Sequence, residues 1–132
     1  MLRAERFERL SINICTAYPT YLFVFGDNDL EVGTGGTACI RHCSNSHGIS
    51  TKKAPGVRPE DYYSDDELFT HLQEWWEDFD YLRYVLEVKK YDKVIFPKGD
   101  LGGGLALLHE KAPESFLILT TMTERFILNA NS

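Results

Sequence analysis

The feature that most narrows the fold is an arrangement that occurs twice, in which a short apolar run ends abruptly in a glycine-rich turn. Tyr21-Leu-Phe-Val-Phe25 enters Gly26-Asp-Asn28 and then Gly33-Thr-Gly-Gly-Thr-Ala38. Lys93-Val-Ile-Phe96 and Pro97 enter Lys98-Gly-Asp-Leu-Gly-Gly-Gly104. Compact aromatic and β-branched runs bounded by Pro and Gly are the pattern of buried strands. Alternating with helical segments, they predict an α/β fold: a small mixed or parallel sheet flanked by helices in a three-layer-like domain. The chain's 132 residues suit one domain, spanning 1–132.

The helical segments carry their own signals. Ser64-Asp-Asp-Glu67 reads as a capping box opening a long helix, and Leu68, Leu72, Trp75, Trp76, Phe79, Leu82, Val85 and Leu86 form its apolar stripe. Thr37 to Cys43 has helical character, with Thr37 placed to cap or open it. Leu105 to Lys111 reads as a short helix. Pro113 starts another over Glu114 to Leu128, although the β-branched content of Ile118 to Met122 also fits a strand. His47 to Thr51 fits a short strand, Lys52 to Tyr63 an irregular loop, and Arg3 to Cys15 either an edge strand or a lead-in helix.

Charge and composition exclude several function classes. A net charge of -6 without a Lys/Arg-rich run lacks the footprint of a general nucleic-acid or anionic-membrane binder. No apolar run approaches the roughly 18 residues of a membrane span, and the first residues lack a signal-peptide core, so the cytoplasm is the expected location. Cys15, Cys39 and Cys43 form no CxxC pair and suit a reducing compartment. Cys39, His42, Cys43 and His47 match no usual zinc spacing, so no metal is expected and the thiols read as small hydrophobes. No cofactor is expected either. With no GxSxG elbow, and with His42, His47 and His109 having no partner arranged in sequence as a nucleophile's base would be, a Ser or Cys nucleophile is disfavoured.

The chemistry is therefore sought in the turns. Glycines allow close approach of a ligand to the backbone, and helix N-termini present free N–H groups, so an anion can be held without arginine. Gly26, Gly33, Gly35, Gly36 and Thr37 of the first turn, and Gly99, Asp100, Gly102, Gly103 and Gly104 of the second, are the candidates for binding phosphate. Thr51 and Lys52, after the short strand, are candidates for an added contact and charge. Asp27 and Asn28 lie at the strand's carboxyl end, where ligands are oriented in open α/β sheets. They are the candidate catalytic residues, Asn28 toward a ribose hydroxyl and Asp27 as proton acceptor. The alternative for both is capping of the turn through side-chain to backbone bonds.

The ordered set Phe25-Gly-Asp-Asn28, Gly33-Thr-Gly-Gly-Thr-Ala38, Gly48-Ile-Ser-Thr-Lys52, Ala54-Pro55, Tyr63-Ser-Asp65, Pro97 with Gly99-Asp-Leu-Gly-Gly-Gly-Leu-Ala106, and Lys111-Ala-Pro113 resembles a family of small, functionally uncharacterised domains frequent in phage genomes. The resemblance covers Tyr21 to Phe126. More distantly, the chain is similar to macro domains, which bind ADP-ribose and in some members hydrolyse its derivatives. That likeness implies a macro-like fold, with Asn28 near a distal ribose and Gly35-Gly36 and Gly102 to Gly104 around the phosphates. The chain departs from macro domains in its shorter length, in lacking Asn-Ala-Ala-Asn, and in carrying Asp100 in the second loop. A nucleotide-like small molecule is the implied ligand, with hydrolysis an open question. The alternative is a non-catalytic phage protein in the host cytoplasm that occupies a host protein through the Trp75-Trp76 helix.

Overall fold

The computed structural model describes residues 2–132. Four strands, β1 (Ala4–Phe7), β2 (Tyr21–Asp27), β3 (Ser46–Ser50) and β4 (Lys93–Pro97), form one sheet in the order β1-β4-β2-β3, and every pairing is parallel. Four α-helices accompany them: α1 (Ile12–Ala17), α2 (Leu68–Glu87), α3 (Leu108–Lys111) and α4 (Pro113–Ala130). Parallel strands are stable only when both faces are covered, and here the covering is unequal. Successive side chains of a strand point to opposite faces. Leu22 and Val24 of β2, with Val94 and Phe96 of β4, enter the larger core with Trp75, Phe79, Leu82, Leu119 and Phe126 of α2 and α4. Phe23, Phe25 and Ile95 enter a smaller core with Cys15, Ala38 and Ile40.

The order of the strands makes the opening. Sheet neighbours β2 and β4 send the chain in opposite directions: β2 continues to β3, whereas β4 continues to α3 and α4, and α4 packs beside β1. Diverging connections at the carboxyl ends of adjacent strands leave a crevice there.

Several expected elements take a different form. The segment after the first glycine turn is a five-residue 3₁₀ helix, Gly36–Ile40, rather than an α-helix to Cys43, and Thr37 does not cap it. The reason is local: Arg41 is drawn under the turn, and Cys43 is already in the bend that leads to β3. The capping box at Ser64 does not form; Asp65–Glu67 is a 3₁₀ turn, Glu67 pairs with Lys53 at 2.6 Å, and α2 begins at Leu68. The third helix is shortened to Leu108–Lys111 because Leu107 sits at φ 50°, and Ile118 to Met122 is helical within α4. Arg3 to Cys15 contains both alternatives, an edge strand followed by a helix. Among the described residues no helix is long and apolar enough to cross a membrane.

Two side chains join distant parts of the chain. Asn131, just beyond α4, accepts the N–H groups of Arg3 and Ala4 at 2.8 and 3.0 Å and donates to the Ala4 carbonyl at 2.8 Å, clamping β1. Asp65 caps α4, accepting the N–H of Glu114 at 3.1 Å and the N–H and hydroxyl of Ser115 at 2.9 and 2.8 Å. Burial alone would raise this carboxyl, but the Ser115 and Glu114 hydrogen bonds outweigh it and hold it below the usual carboxylate range. Its contribution is therefore complete above the unfolded value of about 4 and is lost as the pH falls through the lower folded value. Asp65→Asn is expected to cost about 1 kcal/mol at neutral pH and to flatten the loss of stability below about pH 4. Urea unfolding of both proteins across that range measures it; parallel curves would contradict the capping role.

Candidate functional site

The crevice encloses about 710 Å³, and its wall includes Gly26, Asp27, Asn28, Gly33, Gly35, Gly36, Thr37, Thr51, Lys52, Gly99, Asp100, Gly102, Gly103 and Gly104. The two turns, separated by more than sixty residues in sequence, thus face one space because β2 and β4 are neighbours. Val32, Pro55, Leu101, Leu105 and Phe116 add an apolar wall, and His109 lies among them.

The first turn is held from beneath. Asp27 and Arg41 form an ion pair at 2.6 Å, with side chains only 7% and 10% exposed. The same guanidinium donates to the carbonyls of Gly33 at 2.9 Å and Val32 at 3.2 Å and lies 5.4 Å over the Phe25 ring. Asp27 also accepts the Asn28 N–H at 2.7 Å, and its carboxylate lies so close to Gly48 that a β-carbon there would stand 2.5 Å from Oδ2. Asn28 closes the turn, its amide donating to the Val32 carbonyl at 2.8 Å while its oxygen accepts the Leu30 N–H at 3.1 Å. Both side chains are thus used as the capping alternative describes, and the Asp27 carboxylate is already neutralised. Thr37 ties the 3₁₀ helix to the strand end by accepting the Gly26 N–H at 3.1 Å, and the Thr51 N–H donates to the Asp27 carbonyl at 3.0 Å.

The remaining charges differ. Asp100 faces Arg6 of β1 at 3.3 Å, and Arg6 also donates to the Pro97 carbonyl at 3.0 Å. Lys52 is buried, donates to the Gly56 carbonyl, and lies 4.7 Å over the Tyr62 ring. Among the described residues it makes no ion pair. The wall therefore carries two carboxylates matched by arginines, and a lysine whose ammonium is turned to the Gly56 carbonyl and the Tyr62 ring, with Asp61 near enough to feel its charge. On the backbone, the N–H groups of Gly33 to Gly36, and of Asp100 to Gly102, donate to no protein acceptor among the described residues.

The glycines divide into two classes. Gly102 is required by the fold: its φ is 85°, and a β-carbon there would stand 2.7 Å from the Leu108 side chain. Gly35, Gly99 and Gly104 show no positive φ, and a β-carbon would meet nothing within 3.9 Å at Gly35 and nothing within 4 Å at the other two. All three face the cleft.

Beside the cleft, Tyr63 and Ser50 both donate to the Asp29 carboxylate, and Tyr63 stacks on the buried His71 at 3.7 Å. Burial and then the Asp29 hydrogen bond push the Tyr63 phenol upward, while burial pushes His71 downward. These contacts fix the end of the loop whose Pro55 touches the cleft. His47 instead pairs with Asp78 at 2.8 Å on α2. The three cysteines are free and pack in the smaller core, where burial and then Cys43 push the Cys15 thiol up to about 12. No group of three metal-ligating side chains occurs among the described residues.

Arg41, His109 and Phe116 went unmarked as site residues in the sequence. Arg41 has a faint signal, being the one charge within the apolar stretch Thr37 to Cys43; His109 and Phe116 have none, because only α3 and α4 folding back bring them to the turns.

Compared with known proteins, residues 6–122 match the model of a family of unknown function, DUF7831. No curated protein and no solved structure matches the chain.

Two stability measurements check this account. Arg41→Met is expected to cost about 3–5 kcal/mol by stranding the Asp27 carboxylate. Gly102→Ala should cost about 1–3 kcal/mol, whereas Gly104→Ala should change stability by less than about 1 kcal/mol. Equal losses at the two glycines in urea melts would refute the division.

Proposed function

We propose, for a chain that belongs to DUF7831, a family of unknown function, that the two-turn cleft binds a nucleotide-like ligand, ADP-ribose or a related phosphorylated nucleoside. The observation that carries this reading is the set of glycines at 35, 99 and 104. Each costs conformational entropy, none is demanded by backbone angle or packing, and all border the same space. A ligand that lies against bare backbone accounts for them. Unengaged N–H groups on both turns suit its phosphates, and the wall of Val32, Leu105 and Phe116 suits an apolar or aromatic moiety.

Binding is favoured over turnover. Hydrolysis with water activated by Asp27 needs a free carboxylate, and this one is held by Arg41 and the Asn28 N–H. His109 is the histidine in the wall, so a hydrolytic version would turn to it as the proton acceptor. The macro-domain resemblance supports ADP-ribose as the first ligand to try. The phage resemblance supports sequestration of a host nucleotide signal in the host cytoplasm, a location with which the free cysteines agree. The second reading, a protein that occupies a host protein, is favoured by one observation: Trp76 is 59% exposed although its neighbour Trp75 is fully buried.

Calorimetry against ADP-ribose, NAD, ATP, AMP and cyclic nucleotides tests the cleft. Saturable binding of one ligand is expected, weakened at least about tenfold in Gly35→Val and Gly104→Val proteins that melt near the wild-type temperature. An ADP-ribose ester should stay intact. Silence across the panel would overturn the nucleotide reading, and turnover lost in Asp27→Ala would replace binding by hydrolysis.

A further inference from the structure

The three cysteines come from separate stretches of the chain and meet in one place. Cys15 lies on α1, Cys39 in the 3₁₀ helix and Cys43 in the bend after it, and all three pack in the smaller core as free thiols. Hydrogen bonds of neighbouring residues fix this gathering. Asn45, two residues after Cys43 and itself buried, donates to the carbonyls of Cys15, Tyr18 and Tyr21 at 3.0, 3.1 and 3.0 Å. The Cys43 N–H donates to the Ile40 carbonyl at 2.9 Å, and the Cys43 carbonyl accepts the Ser46 hydroxyl at 2.8 Å. The backbone at Cys15 and at Cys43 is thus pinned, and side-chain rotation is the freedom left to the two thiols.

Their surroundings differ. Cys15 is 1% exposed, Cys43 is half-buried, and Cys39 donates its thiol to the Leu10 carbonyl at 3.6 Å. Cys43 acts on the Cys15 thiol by hydrogen bonding as well as by charge, Cys39 by charge alone. Of the two, Cys43 is therefore the neighbour to which Cys15 can be joined.

We propose that Cys15 and Cys43 form a peroxide-sensitive pair, an oxidation site whose disulfide ties α1 to the bend that follows Arg41. The half-buried Cys43 is the thiol that a hydroperoxide reaches first. Its thiolate sulfur attacks one peroxide oxygen, the O–O bond breaks, and the departing hydroxide takes up a proton as water, leaving a sulfenic acid. The Cys15 sulfur then attacks the Cys43 sulfur. The S–S bond forms, the S–O bond breaks, and the hydroxide leaves with the Cys15 proton as a second water. The two thiols together lose two electrons and the peroxide gains them. Arg41, which holds the first turn, stands between Cys39 and Cys43, so the crosslink anchors the segment that carries it. The inference does not depend on what the glycine cleft binds.

Treatment of the purified chain with a small excess of hydrogen peroxide tests it. The intact mass should fall by two hydrogens, and peptide maps made without reductant should show Cys15 joined to Cys43 within one chain. Oxidation should raise the melting temperature by at least about 5 °C, and dithiothreitol should reverse both changes. A Cys43→Ala protein with wild-type circular dichroism should form no internal disulfide, whereas Cys39→Ala should form it as the wild type does. A link through Cys39, a link between chains, oxidation that stops at sulfenic or sulfinic acid, or an unchanged melting temperature overturns the inference.

Discussion

One buried ion pair decides whether the first turn exists as an object with a shape. Asp27 ends the central strand β2, Arg41 ends the 3₁₀ helix, and the guanidinium holds the carbonyls of Val32 and Gly33 besides the carboxylate. Taking both charges out of water is expensive, and an apolar pair of equal volume would serve stability at least as well. What an apolar pair lacks is direction. Three acceptors around one planar donor fix the path of a segment that contains Gly33, Gly35 and Gly36 and would otherwise be free to sample many. Gly48 belongs to the same device, since the carboxylate lies across β3 where any side chain would stand.

The second turn is fixed by different means. Arg6 reaches it from the edge strand, and the Leu108 side chain fills the place where Gly102 lacks a β-carbon. The two rims of the cleft are therefore anchored in different layers, the first in the smaller core and the second against α3 and α4. A guest that touches both rims draws on both layers.

What could be read in the sequence follows from how local each cause is. The runs Tyr21 to Phe25 and Lys93 to Phe96, the glycine turns after them and the apolar stripe of α2 depend on neighbours a few residues away, and these are strands, turns and helix in the structure. The gathering of both turns around one space followed from strand ends, although their chemical use did not. Features set by remote partners were not legible. Asp65 looked like part of a box for α2 because Ser64 and Glu67 stand at the right spacing; its acceptors are filled by Glu114 and Ser115, some fifty residues away. Lys52 looked like a solvated or phosphate-facing lysine, and its ammonium is instead drawn to Gly56 and Tyr62 in the following loop. Arg41 offered only its oddness among apolar neighbours.

The clamp of Asn131 on Arg3 and Ala4 carries a consequence for the order of assembly. β1 pairs in the sheet with β4 alone, about ninety residues later, and a further hold on it is the side chain just beyond α4. Such separations raise contact order and delay closure of the pairing. During synthesis from the ribosome β1 must therefore wait until β4 has emerged, while β2 and β3, close in sequence, are free to pair early. In that interval the edge of β2 that will receive β4 is unpaired, the part of the nascent chain most in need of shelter.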